Sequence, residues 1–343
     1  MKTLVVALNL ALVITVHAET AVEAWARRYS NLIDSFDQPT KVVTDTAGNV
    51  IVAGNTSDGV TGGDILVIKY ANDGSPLWTN RYDGPGSSFD VATALGVDGS
   101  GSVIVAGVSG SDFATIKYSS GGAPLWTNRH SGEANAMVVD GGGNVIVTGI
   151  SYDTEPNGDY ATIKYSSSGV PMWTNRYNGP GNGEDWARAV AVDAGGNVFV
   201  TGRSYSGSSD DYATVAYSSL GVPLWTNRYN GPGNGDDVAH AVAVSGTNVF
   251  VTGSAYGGSS SGDYATIGYS TGGAALWVQR YNGSGNDYDE AVGVAVAGTN
   301  VFVTGYAYDA LTSNDYLTLV YSRSGTALLT NRYEGPAKSD DRV

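Results

Sequence analysis

The sequence predicts an all-β fold made of many short strands. Charged residues are only 15% of the 343-residue chain, whereas Gly occurs 48 times and Tyr 22 times, a composition that favours strands and tight turns over helices. Tryptophan recurs every 47 to 53 residues, at positions 25, 78, 126, 173, 225 and 277, and Leu329 takes the seventh place. A period near 50 residues indicates a propeller or a solenoid.

Each repeat contains four strand-like segments, here called a, b, c and d. In the fourth repeat they are ARAVAVD, NVFVTG, DYATVAYS and VPLWTNRY, and turn residues such as DAGG and SLG separate them. Strand a places Ala187, Ala189 and Ala191 on one face. Small residues on strand a and Trp on strand d suit wedge-shaped sheets that converge on an axis. The sequence therefore predicts a β-propeller of four-stranded antiparallel blades, with six complete repeats starting near 30, 83, 131, 178, 230 and 282.

The two ends of the repeat array leave the blade count open. Trp25 to Tyr29 reads as a strand d without its own a, b and c, and Asp340-Asp341 match Asp236-Asp237 just before a strand a. We expect a truncated reading frame whose complete ring has seven blades. A closed six-bladed ring with one redundant strand is the alternative.

Two connections are shorter in neighbouring repeats. From Gly107, which ends strand b, to Asp112, which opens strand c, is 5 positions, against 9 or 10 elsewhere, and only two residues separate His130 from Glu133. In an up-and-down sheet these two kinds of connection emerge on the same side. We therefore expect a notch on that side, over the second and third repeats.

The amino terminus and the charge balance predict an exported protein. Residues 1–18 form a signal sequence, with one Lys, an apolar run and Val16-His17-Ala18 as the cleavage signature, and the run is too short to span a membrane. Residues 19–343 would then be one propeller domain without Cys, in the periplasm, at the cell surface or outside the cell. Without Lys2 the formal charge is 17 − 33 = −16, which repels nucleic acid and anionic lipid.

The repeats resemble the SBBP beta-propeller repeat family of secreted bacterial proteins. The likeness rests on the motifs G-N-V-x-V-T-G, D-Y-A-T-I-K-Y and W-T-N-R-Y-N-G-P-G-N and extends over residues 25–341. It implies a propeller in a cell-surface or extracellular setting. It implies no catalytic residues that could be assigned to this chain.

A carboxylate recurs just before strand a and is a candidate metal ligand. These residues are Asp37, Asp90, Asp185, Asp237 and Asp289, with Asp341 as a further match. Arranged around an axis, they could hold Ca²⁺ together with carbonyls of the Gly-rich connections. The same residues could instead accept hydrogen bonds from nearby backbone N–H groups and fix the start of the strand. No other cofactor is predicted.

Two further series are candidate ligand contacts. One position of strand a varies among Thr40, Thr93, Asn135, Arg188, His240 and Val292, as expected for the lining of a channel, and Asn135, Arg188 and His240 are its most polar members. Exposed tyrosines among Ser and Gly are typical of adaptable binding surfaces, and such residues recur after strand b as Tyr152, Tyr205, Tyr256 and Tyr308. A solvated channel and rings packed on a neighbouring blade remain the alternatives.

These features predict a binding scaffold for a protein or a polysaccharide, without enzymatic activity. The mature chain has no Cys and only His130 and His240, and neither lies in a recognisable catalytic arrangement. The alternative is a carbohydrate-active enzyme that uses aspartates on the loop-rich side.

Overall fold

A computed structural model describes most of the repeat region. The described residues are 24–29, 36–57, 62–86, 88–152, 157–259, 261–335 and 340–341. The expected signal sequence, residues 1–18, lies outside them. In the described ranges, all helix or strand structure is β-strand, and no helix has the length and hydropathy that a membrane crossing requires.

Twenty-four strands form six antiparallel sheets of four strands each, in which the strand order follows the chain order. The first three sheets consist of β1 (Asp37–Thr44), β2 (Val50–Ser57), β3 (Gly63–Tyr70) and β4 (Pro76–Tyr82); β5 (Asp90–Val97), β6 (Val103–Ser109), β7 (Asp112–Tyr118) and β8 (Pro124–Ser131); and β9 (Glu133–Val139), β10 (Val145–Ser151), β11 (Asp159–Tyr165) and β12 (Pro171–Tyr177). The other three consist of β13 (Asp185–Val192), β14 (Val198–Tyr205), β15 (Asp210–Tyr217) and β16 (Pro223–Tyr229); β17 (Asp237–Ser245), β18 (Asn248–Tyr256), β19 (Gly262–Ser270) and β20 (Ala275–Tyr281); and β21 (Glu290–Ala297), β22 (Asn300–Asp309), β23 (Ser313–Ser322) and β24 (Ala327–Tyr333).

The arrangement of the sheets is that of a β-propeller. Each sheet contains one a, b, c and d segment of the sequence, and the first strands of successive sheets contact one another from β1 to β21. The sheets are therefore blades, with strand a innermost. The predicted fold class is confirmed.

Tryptophan joins each blade to the next one, as its period predicts. The Trp173 ring lies against Gly221 in the turn between β15 and β16, where an added Cβ would meet Trp173 Cγ at 2.6 Å. Trp173 Nε1 donates to the Ser219 carbonyl at 3.2 Å, and its ring centroid lies 5.9 Å from that of Tyr217. The other tryptophans from 78 to 277 repeat this contact, so the space between blades is filled from the outer strand.

Two packing solutions fill the space beside these tryptophans. In the second blade Lys117 lies opposite Ile104 on the neighbouring strand and forms a buried ion pair with Asp98, 2.8 Å from Nζ to Oδ2. In the fourth blade Ala216 lies opposite Phe199, whose ring is 5.9 Å from that of the next Trp. The first three blades thus pair a buried lysine with isoleucine, and the last three pair phenylalanine with Ala216, Gly268 or Val320.

Both ends of the array occupy the places that the repeat predicts. Trp25 Nε1 donates to the Asn72 carbonyl at 3.0 Å, as later tryptophans do to their following blade, so residues 24–29 lie where an outer strand would precede the first blade. Asp341 Oδ2 accepts from Gly335 N at 2.6 Å, the contact made before other inner strands. In the described residues no sheet covers the far side of the sixth blade, where Phe302 is 37% exposed against 0% for its equivalent Phe250.

Candidate functional site

One side of the propeller carries two sets of connections, and we call it the loop-bearing face. It is formed by the turns between the second and third strands of each blade and by the connections from the fourth strand to the next blade. Backbone hydrogen bonds tie the two sets together: Ser57 N donates to Phe36 O at 3.2 Å, and Gly181 N donates to Tyr205 O at 3.3 Å. The face is therefore one continuous surface held by main-chain contacts.

The notch expected over the second and third blades is present. Only Gly110 and Ser111 join β6 to β7, and Gly132 alone joins β8 to β9. Gly132 N donates to Ser111 O at 2.8 Å, so the two shortened connections lie side by side. Two short connections of the loop-bearing face thus lie next to each other.

The aspartates expected to surround a metal are buried at the start of their own strands. Asp185 Oδ2 accepts from Gly179 N at 2.5 Å, and its Oδ1 accepts from Tyr205 N at 3.0 Å. Asp237 and Asp289 make the same pair of bonds in the next two blades. Each carboxylate thus joins the connection that precedes its strand to the end of the second strand of the same blade. This is the alternative role, accepting hydrogen bonds from nearby backbone N–H groups, that the sequence left open.

Burial explains the electrostatics of these aspartates. Asp185, Asp237 and Asp289 are 0% exposed, and burial, which disfavours the charged form, raises the pKa of Asp237 and of Asp289 to about 6. These carboxylates are thus buried, and both oxygens accept backbone N–H groups, so neither oxygen is presented at the surface. The enzyme alternative in which Asp185 and Asp237 act on a sugar is therefore not supported by their positions.

The first two members of the series differ from the others. Asp37 Oδ1 accepts from the Thr56 hydroxyl at 2.6 Å. Asp90 Oδ2 accepts from Gly84 N at 2.5 Å, but its Oδ1 has no hydrogen-bond partner among the described residues. Asp90 instead lies in a group with Asp64 and Asp83, whose carboxylates approach one another.

The four tyrosines lie on the loop-bearing face, with their rings against glycine. An added Cβ on Gly183 would meet the Tyr205 ring at 2.3 Å, and one on Gly158 would meet Tyr152 at 2.7 Å. The Tyr205 hydroxyl donates to the carbonyl of Gly207 at 2.9 Å. Tyr256 and Tyr308 repeat the packing on the glycines of their own connections. This contact explains why the connections are rich in Gly, and Tyr152 and Tyr256 stay 43% and 36% exposed.

The varied position of strand a is a β-bulge in every blade. The register shifts by one residue there, so that the extra residue has no partner on the second strand. The six extra residues are Thr40, Thr93, Asn135, Arg188, His240 and Val292. A bulge redirects a side chain out of the regular alternation, which is how this position can vary without disturbing the core.

A glycine inside each second strand is required by the bulge. A Cβ on Gly202 would lie 2.0 Å from the Trp186 carbonyl oxygen, and one on Gly107 would lie 1.9 Å from that of Val91. Any side chain would collide with the bulged backbone.

The three polar bulge residues make different contacts. Asn135 Nδ2 donates to Ala187 O of the next blade at 2.9 Å. His240 Nε2 lies 2.9 Å from Glu290 Oε1, also in the next blade. Arg188 lies over the Trp186 ring at 5.5 Å. His240 thus faces Glu290, a residue that the sequence analysis did not single out.

Glu290 is the half-buried anion of this group. Burial alone would raise its pKa, but hydrogen bonds with His240 and with the Tyr306 hydroxyl, at 2.5 Å from Oε2, outweigh burial and lower the pKa to about 2. Glu290 is therefore held as a carboxylate by its neighbours.

Two phenylalanines that the sequence analysis did not single out lie exposed on the loop-bearing face. Phe36 is 68% exposed and Phe89 is 72% exposed. Both line a cavity of about 330 Å³ between the first and second blades, together with Thr56, Gly63 and Val91 among others. We call these five residues the apolar corner.

The backbone holds the apolar corner in place. Ser57 N donates to Phe36 O at 3.2 Å, and Gly110 N donates to Phe89 O at 3.0 Å. The Phe89 ring also lies against Gly63, where an added Cβ would be 3.0 Å away. Phe89 therefore stands at the edge of the notch with one ring face supported and the rest in solvent.

The corresponding corner between the fifth and sixth blades is more polar. It encloses about 340 Å³ and contains Asp236 and Tyr288 in the places of Phe36 and Phe89. The residue before each strand-opening Asp is Glu184 in the fourth blade and Asp340 at the last repeat. The sequence signal for the apolar corner is a phenylalanine just before the strand-opening Asp, at a position that is acidic in several other repeats.

Comparison with known proteins supports the fold. No protein-family model and no curated protein matches the chain. Three solved structures are similar over 87 to 89% of it: BamB from Moraxella catarrhalis (18% identity, TM-score 0.55, 76% of that chain), Sqt1 from Chaetomium thermophilum (13%, 0.61, 74%) and the periplasmic gluconolactonase PpgL from Pseudomonas aeruginosa (15%, 0.54, 87%). These are β-propellers, so the likeness confirms a propeller, and it does not single out the SBBP type.

The expectation that this protein has no enzymatic activity requires correction. PpgL shares the fold and is a gluconolactonase. The propeller fold therefore does not exclude enzymatic activity, and the expectation of no activity was wrong.

Proposed function

We propose that the protein is an exported binding module that holds a protein ligand at the apolar corner of its loop-bearing face. The observation that carries this proposal is the pair of exposed phenylalanines, Phe36 and Phe89, which line one cavity. Exposed apolar side chains that gather at a concave site are typical of interaction sites.

The chemistry of the corner favours a peptide segment with an apolar anchor over a polysaccharide. A cavity of about 330 Å³ is at the small end of ligand sites, and it fits one or two apolar side chains. Its two aromatic members are phenylalanines, which lack the hydroxyl or indole N–H that often pairs with a polar ligand. The net charge of −15 disfavours acidic ligands and favours a neutral or basic segment.

Export is supported by the sequence of residues 1–18 and by the periplasmic location in the name of PpgL. Residues 19–343 would form the mature, single-domain propeller, of SBBP type by its motifs. A polysaccharide ligand on the same face is the alternative that the experiment below separates.

The test is selection from a random dodecapeptide library displayed on phage, with a glycan array in parallel. We expect peptides with an aromatic or aliphatic anchor to be selected. Phe89→Ala should weaken binding of a selected peptide by about 2 kcal/mol, or about 30-fold in Kd, as truncation of a central aromatic residue does in other interfaces. The measurement is titration calorimetry.

The chain offers a matched control. Tyr288 occupies the place of Phe89 in the polar corner, so Tyr288→Ala should leave the affinity unchanged. Because Phe89 is 72% exposed, its truncation should alter stability by less than about 0.5 kcal/mol. Glycan binding that requires Phe89 would establish the polysaccharide alternative, and peptide binding that is indifferent to Phe36 and Phe89 would contradict the proposal.

A further inference from the structure

Three carboxylates converge beside Gly84, between the first and second blades. One oxygen each of Asp64, Asp83 and Asp90 lies within 4.8 Å of the others. Asp64 is the second residue of β3, Asp83 directly follows β4, and Asp90 begins β5 in the second blade. The fold therefore brings together residues from two blades, and we call these three residues the acidic cluster.

The surroundings of Asp90 point to a missing partner. In the fourth, fifth and sixth blades, Oδ1 of the equivalent aspartate accepts the N–H of Tyr205, Tyr256 or Tyr308. In the second blade the turn after β6 is short, and the equivalent N–H, that of Gly110, donates to Phe89 O and not to Asp90. As a result, Asp90 Oδ1 has no hydrogen-bond partner in the described residues. It is also shielded from solvent, because Asp90 is 0% exposed.

The third carboxylate, Asp83, stands where three other connections have an amide, and Glu334 is the corresponding carboxylate after the sixth blade. The residue that follows the last Tyr of strand d is Asp83 here and Asn178, Asn230 and Asn282 in three other connections. Among the described residues, no other group of three carboxylates meets the same spacing. Asp83 thus places a charged oxygen ligand where three other connections have an amide, close to the buried Asp90 Oδ1 that lacks a partner in the described residues.

The local charge leaves room for a divalent ion. Arg81 Nε donates to Asp64 Oδ2 at 2.5 Å and offsets one negative charge. Three carboxylates and one guanidinium leave a net charge of about −2. Two of the three carboxylates, Asp64 and Asp90, are buried, and burying like charges without a counter-ion is unfavourable. Carboxylate oxygens are the preferred ligands of Ca²⁺.

We propose that the acidic cluster binds one Ca²⁺ ion. Asp83 is exposed and gives the ion a route from solvent, whereas Asp64 and Asp90 form the buried side of the site. This ion differs from the ring of strand-opening aspartates expected from the sequence, whose other buried members are satisfied by backbone N–H groups. The proposal does not depend on what binds at the apolar corner.

The test is titration of CaCl₂ into protein freed of metal by a chelator, followed by calorimetry and by the shift in Tm. We expect one ion per chain and a higher Tm with Ca²⁺. Asp83→Asn should weaken Ca²⁺ binding by at least about tenfold, because affinity in such sites follows the number of charged ligands. Its Tm without Ca²⁺ should equal or exceed that of the unchanged protein, since three other connections already contain Asn and one repulsive charge is removed.

Asp73→Asn is the matched control. Asp73 lies in the turn before β4, in contact with Ser75 N at 2.8 Å, so its replacement removes the same charge away from the cluster and should leave Ca²⁺ affinity unchanged. Three results would each overturn the proposal: no heat and no Tm shift at millimolar Ca²⁺, several equivalent ions per chain, or equal weakening by both variants.

Discussion

Replacing Gly202 by alanine tests whether the bulge of strand a is a built feature of each blade. The added Cβ would lie 2.0 Å from Trp186 O and 2.9 Å from Ala187 Cα. An unstrained carbon–oxygen contact is about 3.3 Å, so the two strands would have to separate by more than about 1 Å. Backbone cannot yield as a flexible side chain can, and we expect a loss of about 3 kcal/mol in the free energy of unfolding, at the upper end for overpacking.

The assay is urea unfolding followed by circular dichroism, with Gly99→Ala as the control. An added Cβ on Gly99 meets nothing within 4 Å, so this variant should change stability by less than about 1 kcal/mol. If both variants were equally stable, the bulge would not be held by backbone contact, and the presentation of Arg188 and its equivalents would need another explanation.

Three further predictions test the packing and the buried charges. Lys117→Ala should lower the free energy of unfolding in urea by about 3 to 5 kcal/mol, because it leaves the Asp98 charge buried without its partner. The double variant with Asp98→Asn should recover part of that loss. No recovery would contradict the charge argument. Asp237 has a pKa of about 6 in the folded protein, against 3.8 for an ordinary Asp. The folded state therefore favours the protonated carboxyl, and this contribution to stability is lost as the pH rises through 6. The free energy of unfolding should fall by up to about 3 kcal/mol between pH 4 and pH 7 from this group. Asp237→Asn should flatten that fall in unfolding measured at several pH values, whereas an unchanged slope would show that Asp237 titrates normally. Trp173→Ala should lower the stability by about 3 kcal/mol, but Leu329→Ala, at a position 57% exposed, by less than about 1 kcal/mol; equal effects would contradict packing between blades.

The repeat made most of the fold predictable from the sequence. Period and alternation placed all four strands of a blade, because both depend on local patterns that tolerate small errors in boundaries. The notch was also predictable, since it follows from two residue counts, one between Gly107 and Asp112 and one between His130 and Glu133. Trp173 and its equivalents were expected between blades, and they lie there.

The candidate sites depended on geometry that local patterns do not contain. The bulge at Arg188 is a mismatch between two strands, so it exists only in the pairing with Gly202. The acidic cluster joins Asp64 to Asp90 across two blades. Tyr205 was a candidate ligand contact with ring packing as the alternative, and its ring lies against Gly183. The regular series make repeated contacts within the fold, and the irregular positions are the ones on which the proposals rest.

Phenylalanine itself offers the most direct test of where the ligand binds. The chain contains 6 Phe, so protein labelled with 4-fluorophenylalanine should give six ¹⁹F resonances. On addition of a selected peptide, we expect the resonances of Phe36 and Phe89 to shift while those of the buried Phe113, Phe199 and Phe250 stay in place. A shift confined to Phe302, on the uncovered side of the sixth blade, would contradict the account.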